Sequence, residues 1–296
     1  MERKEVRPDL FLIGLKQRDL PGTFIGAWVY RGEKSFLVDP GPTASVDQLL
    51  EGLRSLGIRE MDFIFLTHIH IDHAGGTGSL LRHFPGTKVI CHETGIPHLI
   101  DPRRLWEGTR KVQGDLALKY GEIDPVPERV LLSPDQFYRE GFQIVKTPGH
   151  APHHQVLIYN GYLFAGDAGG FYIPLKDRLF LRPATPPRFD LEEAVQSIEV
   201  LLGMAEIREI CYAHFGILSD AKGMLRRFKN QLFLWRDVIE EQIRQSGWEG
   251  LVERVIPILL ERDELFKPFR KLEEEEKKRE LHFLENCIRG IGGQRA

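Results

Sequence analysis

Residues 67–73 read THIHIDH, and the run continues through Ala74, Gly75 and Gly76. Three imidazoles and a carboxylate fall within six positions, in a chain with 11 histidines among 296 residues. The segment before them, residues 61–66, is apolar apart from Asp62 and reads as a buried strand. The cluster therefore stands in the loop that follows a strand. His68 and His70 are two apart, so their side chains can point to one side. A turn before Asp72 and His73 directs the second pair elsewhere. Imidazole and carboxylate are the usual ligands of zinc and also suit iron and manganese. Two pairs aimed two ways suggest two metal ions close together, which call for about seven protein ligands.

Three more candidates occupy equivalent places. His150 lies in TPGHAPHH, after a strand expected at 142–146. Asp167 lies in LFAGDAGG, after a hairpin over 155–165 that turns at Asn160-Gly161, a strong two-residue turn signal. His214 lies in CYAHFG, after a strand expected at 209–213. Each is presented just beyond a strand, and α/β folds gather ligands in the crevice outside strand carboxyl ends.

The remainder of the chain frames this site. Strands separated by turn-like segments at 18–22 and 31–34 fill the first 40 residues, and 45–56 has helical apolar spacing. Asp190 with Glu193 starts a helix, RPATPP at 182–187 is a non-helical loop, and helical periodicity runs over 219–245, with further helices expected at 251–260 and within FRKLEEEEKKRELHFLENCI. The last helix, within FRKLEEEEKKRELHFLENCI, reads as a solvated charged face. Residues 1–216 are expected to form one α/β domain, and 217–296 a helical extension that shapes the active-site pocket.

A net charge of −3 calls for neither nucleic acid nor an anionic membrane. Cys91, Cys211 and Cys287 form no CxxC pair, which suits buried thiols in a reducing compartment. The apolar run at 10–14 is too short for a signal peptide, so a cytoplasmic protein is expected.

HxHxDH with the later His, Asp and His resembles the metallo-β-lactamase-fold hydrolases, over roughly residues 8–216. LVDPG at 37–41 is another element of the likeness. The resemblance implies an αββα sandwich with a binuclear site in a cleft at the sheet edges. It assigns His68, His70 and His150 to one metal, Asp72, His73 and His214 to the other, and Asp167 to a bridge. It gives Asp39 the role of orienting a ligand by a hydrogen bond, although an aspartate capping the turn before Pro40-Gly41 is nearly as good a reading. His153 departs from the glycine common there, and His154 reads as a supporting residue rather than a ligand. The glyoxalase II and lactonase branches keep the same seven-ligand pattern.

Two such ions lower the pKa of a bridging water and supply hydroxide near neutral pH. No GxSxG and no cysteine beside a histidine motif offers another nucleophile. A metal-dependent hydrolase of a small thioester, ester or lactone is therefore expected, with Asp72 and Asp167 catalytic. Two divalent ions are its cofactors, zinc first, with iron or manganese as alternatives. A phosphodiesterase, or a regulatory ligand-binding protein that keeps the metal site, are the other readings. Beside the small-molecule substrate, a homodimer is left open. Lys222 and Arg226 follow His214 closely enough to meet an anionic group, and Trp106, with Leu105 and Tyr120, is expected to form a pocket wall.

Overall fold

The computed structural model describes residues 3–17, 20, 23, 25–175 and 178–293. The turn expected at 18–22 lies outside the described residues, save Leu20. A seven-stranded sheet runs in chain order through β1 (Arg3–Arg7), β2 (Leu10–Leu15), β3 (Ile25–Arg31), β4 (Ser35–Val38), β5 (Phe63–Phe65), β6 (Lys88–Ile90) and β7 (Leu131–Leu132). Its first four strands are antiparallel and its last four parallel, meeting at β4. The parallel half needs crossovers, which are α1 (Val46–Ser55), the short α2 (Ile71–Ala74) and α3 (Thr77–Leu81), then α4 (Ile96–Ile100), α5 (Arg103–Gln113) and α6 (Asp115–Tyr120).

The second sheet is built from β8 (Phe142–Lys146), β9 (Gln155–Tyr159) and β10 (Tyr162–Gly166). A separate ribbon, β11 (Phe171–Leu175) with β12 (Arg178–Arg182), and α7 (Leu191–Gly203) intervene before β13 (Glu209–Tyr212) and β14 (Gly216–Leu218) complete it in the order β14-β13-β10-β9-β8. The β9–β10 turn holds Asn160 and Gly161 at φ of 50° and 84°, the left-handed pair that such a turn demands. Asp190 caps α7 by accepting the Glu193 N–H at 3.0 Å, as its sequence indicates.

Strand alternation explains why the sheets stack. Leu10 and Leu12, Trp28, Phe36 and Val38, and Phe63 and Phe65 face inward, where they meet Leu157, Phe164 and Cys211 of the second sheet. Phe36 stacks on Phe63 at 5.0 Å and meets Phe164 edge-on at 5.9 Å. Trp28 Nε1 donates to the Tyr212 carbonyl at 2.9 Å, so this buried polar atom also ties sheet to sheet. The intervening residues, among them Phe11, Ile13, Val29 and Ile64, face the opposite way and receive Val46, Leu49, Leu50 and Leu53 of α1. Ile158, Leu163 and Ile210 likewise receive Ile198 and Leu201 of α7. Each fully buried side chain of this kind contributes about 1.5–3 kcal/mol. The layers are αββα.

Three longer helices follow: α8 (Ala221–Ser246), α9 (Leu251–Arg262) and α10 (Glu274–Ile291). Met224, Leu225 and Phe228 of α8 pack on the second sheet's outer side, while Trp235, Val238 and Ile239 join α9 in the other outer cluster. Asp263, buried after α9, accepts Gln231 Nε2 and Trp235 Nε1 at 2.7 Å each, and burial raises its pKa against these donors. The charged last helix corrects the reading of a solvated face. Arg279 and Glu280 are 7% and 0% exposed, because Glu280 accepts Arg182 Nε of β12 at 2.5 Å in the interior. The three cysteines are free and buried. Among the described residues no helix is long and apolar enough to cross a membrane.

Candidate metal centre

The site forms where backbone bonds zip the two sheets together at one edge. Gln155 N donates to the Thr67 carbonyl at 2.8 Å and Gly26 N to Ala213 at 2.9 Å, while Gly41 N ties the loop after β4 to His73 at 2.9 Å. Residues 67–70 leave β5 extended, and α2 then winds Asp72 and His73 onto adjacent helical positions. His150 comes from the loop between β8 and β9, and His214 from the link between β13 and β14. Asp167 follows β10 at Gly166, whose φ is 52° and whose missing Cβ would lie 2.6 Å from His154 Nε2 and 2.7 Å from Thr67. Only glycine can make that bend there.

Two triplets of ligand atoms converge: His68, His70 and His150, and Asp72, His73 and His214; His68 and His73 also form a triplet with Asp167. The atoms of each lie within 4.8 Å of one another. The Asp167 carboxylate stands between them. Its Oδ2 is 3.4 Å from His150 Nε2, and its Oδ1 is 3.2 Å from His214 Nε2 and 3.6 Å from His73 Nε2.

The supporting bonds decide which ring nitrogens face inward. His150 Nδ1 lies 2.6 Å from the Ala184 carbonyl, which can only accept, so Nδ1 carries the proton and Nε2 a lone pair. Asp39 accepts from Thr67 N at 2.8 Å, from Thr67 Oγ at 2.7 Å and from His73 Nδ1 at 3.0 Å. With its proton on Asp39, the Thr67 hydroxyl accepts from His68 Nδ1 at 3.0 Å. His68 Nε2 therefore also faces inward as a lone pair. Asp39 holds φ at 52° to make these bonds, so its carboxylate serves His73 rather than capping its own turn. His154 has both nitrogens engaged: Nε2 accepts Asp167 N–H at 3.1 Å, and Nδ1 meets Thr147 Oγ at 2.8 Å.

This donor set fits divalent cations. His70 Nδ1 lies 3.0 Å from His68 Nε2 and 2.9 Å from His150 Nε2, so three nitrogens share at most one proton. A tetrahedral zinc with bonds of about 2.0–2.1 Å spaces its nitrogens by roughly 3.3 Å, close to these separations. Burial, then repulsion from neighbouring imidazoles, lowers the pKa of His68 and His70; burial also lowers that of His150, against Asp167. His73 behaves oppositely. Burial works against its charge, but Asp72, Asp167 and Asp39 outweigh it and push its pKa to about 10. Asp167 is also penalised by burial, yet His150, His214 and His73 hold it well below the usual carboxylate range. His73 Nε2 and Asp167 Oδ1 are buried without a hydrogen-bond partner, and a cation would satisfy both.

The residues expected to wall the pocket or meet an anionic group lie on α5, α6 and α8. Trp106 is half-buried on α5 against the apolar core, and Tyr120 is wholly buried. Lys222 is half-buried and Arg226 exposed on α8. None of these lines the small cavity beside His150 and Asp167, where Phe189 and Phe228 stand instead. His153 is half-buried, its ring parallel to that of His68 at 6.2 Å, and burial with nearby histidines lowers its pKa to about 4. Sequence reasoning does not reach Thr67, Thr147 or the Ala184 carbonyl; a threonine ahead of the His68 and His150 loops is the one hint that the sequence carries.

Two stacked sheets covered by helices, with a histidine–aspartate cluster at the edge they share, define a metallohydrolase sandwich. A model of the metallo-beta-lactamase superfamily matches residues 22–214, and the chain belongs to that superfamily. A metallo-beta-lactamase fold-containing protein of Sulfurisphaera tokodaii is 27% identical over 242 residues, covering 77% of this chain and 85% of that protein. A hydroxyacylglutathione hydrolase of Salmonella paratyphi A is 26% identical over 259 residues, 83% of this chain and 82% of its own. The crystal structure of a metallo-beta-lactamase family protein from Thermus thermophilus shares the fold, with a TM-score of 0.63 at 20% identity over 96% of this chain and 93% of that one.

Proposed function

We propose that the chain is a hydrolase that holds two divalent metal ions, zinc first, and cleaves a small acyl thioester, ester or lactone. His68, His70 and His150 would hold one ion, Asp72, His73 and His214 the other, with Asp167 shared. The observation that carries this reading is the inward convergence of imidazole nitrogens on both sides of one carboxylate whose two oxygens face different triplets. When bound, the ions supply activated water near neutral pH and polarise the bond under attack.

The chain's own groups do the remainder. Asp39, Thr67 and the Ala184 carbonyl fix the tautomers, so no ring has to reorient to receive an ion. Asp72, with 15% of its side chain exposed against 6% for Asp167, stands at the more open edge, where it can pass a proton to a departing group. The extended likeness to a hydroxyacylglutathione hydrolase favours an acylated thiol as substrate.

The test is turnover of a panel by protein of measured metal content: an acyl-glutathione, an acyl-CoA, a lactone and a bis-aryl phosphodiester, with His68→Ala as the blank. Turnover of a thioester or lactone well above the blank, at about two metals per chain, is the expected result. Preference for the phosphodiester would move the assignment to phosphoryl chemistry. Full metal occupancy without turnover of any member would sink the enzymatic reading and favour a regulatory protein.

A further inference from the structure

The loop RPATPP, residues 182–187, supplies the Ala184 carbonyl that orients His150. It is gripped from its far side by α10, the helix whose composition suggests only a solvated face. Arg182 Nε donates to Glu280 Oε2 at 2.5 Å, and Cys287 Sγ donates to the Pro183 carbonyl at 3.1 Å. Beyond Ala184, Thr185 Oγ1 donates to the Cys287 carbonyl at 3.1 Å. Gly290 then meets the next peptide so closely that a Cβ would lie 2.3 Å from the Pro186 carbonyl oxygen. Residues 182 and 183 before Ala184, and 185 and 186 after it, are thus all held by one helix. Arg182, Thr185, Glu280 and Cys287 are each at most 4% exposed, so the grip is interior.

A second line of contact leads to the other triplet. The Arg182 guanidinium lies 4.0 Å from the centroid of Phe171, and the Phe171 ring is 4.7 Å from that of His214. Burying the Arg182–Glu280 pair carries a large desolvation cost, and an apolar pair would pack α10 without it.

We infer that α10 is a positioning element of the metal centre: by clamping residues 182–186 it holds the Ala184 carbonyl against His150 Nδ1, and so fixes the tautomer and aim of Nε2. This rests on the reading of His150 as a metal ligand. Glu280, Cys287 and Gly290 act through the loop and touch no reacting atom. Partners of this kind are worth about 10–100-fold in metal affinity.

The test uses the full chain with Gly290→Ala and Glu280→Gln, and Leu53→Ala in α1 as a remote variant of lowered thermal stability. Two readouts are taken: zinc affinity by competition with a chromophoric chelator, and the His150 tautomer in metal-stripped protein by 15N NMR, assigned against His150→Gln. Both α10 variants are expected to weaken one zinc by about 10–100-fold and to turn His150 from the Nδ1–H form into a mixture, while Leu53→Ala keeps the native affinity and tautomer. Unchanged affinity and tautomer in both α10 variants would overturn the inference, as would an equal loss in Leu53→Ala. Should Gly290→Ala not fold, the nearly isosteric Glu280→Gln decides. Should the wild type bind no zinc, the metal reading fails, and the tautomer still decides the role of α10.

Discussion

The two candidate ligand triplets sit on opposite sides of Asp167 and are electrostatic opposites. His68, His70 and His150 are imidazoles alone, and burial with mutual repulsion keeps His68 and His70 unprotonated. On the other side, His73 is ringed by Asp72, Asp167 and Asp39, and it keeps a proton up to about pH 10. The first triplet is a set of neutral rings, whereas the second already holds a cation, a proton. Both arrangements suit a metal ion, but only the second must give something up to take one. The difference arises from three carboxylates, Asp72, Asp167 and Asp39, the last of which the first triplet meets only through a threonine hydroxyl.

The largest effect is expected where the triplets meet. Asp167→Ala removes the oxygens facing both, and hydrolysis should fall by roughly 10²–10³-fold or more, with metal content reduced at both positions. Turnover within tenfold of the native rate would mean that the carboxylate is not shared. Next comes Asp39→Asn, which takes a carboxylate from His73 and leaves the lone pairs of the first triplet in place. One of the two metals should then bind about 10–100-fold more weakly, as read by elemental analysis after graded chelation. Equal weakening of both would erase the distinction.

Proton release offers a sharper measure. With its pKa raised to about 10, His73 is protonated in the metal-free protein at neutral pH, and metal binding at Nε2 must expel that proton. The first ion should release almost none, the second about one, and the second ion's affinity should climb about tenfold per pH unit until pH approaches 10. Zinc titration calorimetry in two buffers of different ionisation enthalpy reads this directly. Release with the first ion, or with neither, would contradict the charge pattern.

How much of this is legible depends on distance along the chain. The paired histidines at 68–73 and the candidate ligands beyond each strand stand out because strand, loop and side chain are contiguous, and strand alternation accounts for the αββα layers. Asp39 cannot be decided from sequence, since its partner His73 is 34 positions away and a turn cap requires the same residue. Glu280 reads as solvated, because nothing near it in sequence reveals Arg182, 98 positions earlier. Lys222 and Arg226 stand out by proximity to His214 in sequence, but helical periodicity turns Met224, Leu225 and Phe228 inward instead. The short α2 reads as a turn; its first-turn Asp72 and last-turn His73 are candidate ligand positions that no apolar period marks.

The smallest expected effect tests whether the second triplet's surroundings extend beyond its carboxylates. The Tyr120 hydroxyl is buried without a hydrogen-bond partner, and burial, then the charge of Asp72, raises its pKa, with Arg279, Glu280 and Arg182 also acting on it. An unpaired buried hydroxyl costs about 1–3 kcal/mol, so Tyr120→Phe should leave the fold unharmed or stabilise it by roughly 1 kcal/mol. Urea denaturation of the metal-free protein measures this. If stability rises while both metals bind as before, the hydroxyl is a tolerated orphan and the asymmetry of the triplets belongs to Asp39, Asp72 and Asp167 alone. If stability instead falls by a similar amount, the hydroxyl has a water-mediated partner, and a drop in the second ion's affinity would identify that partner as Asp72.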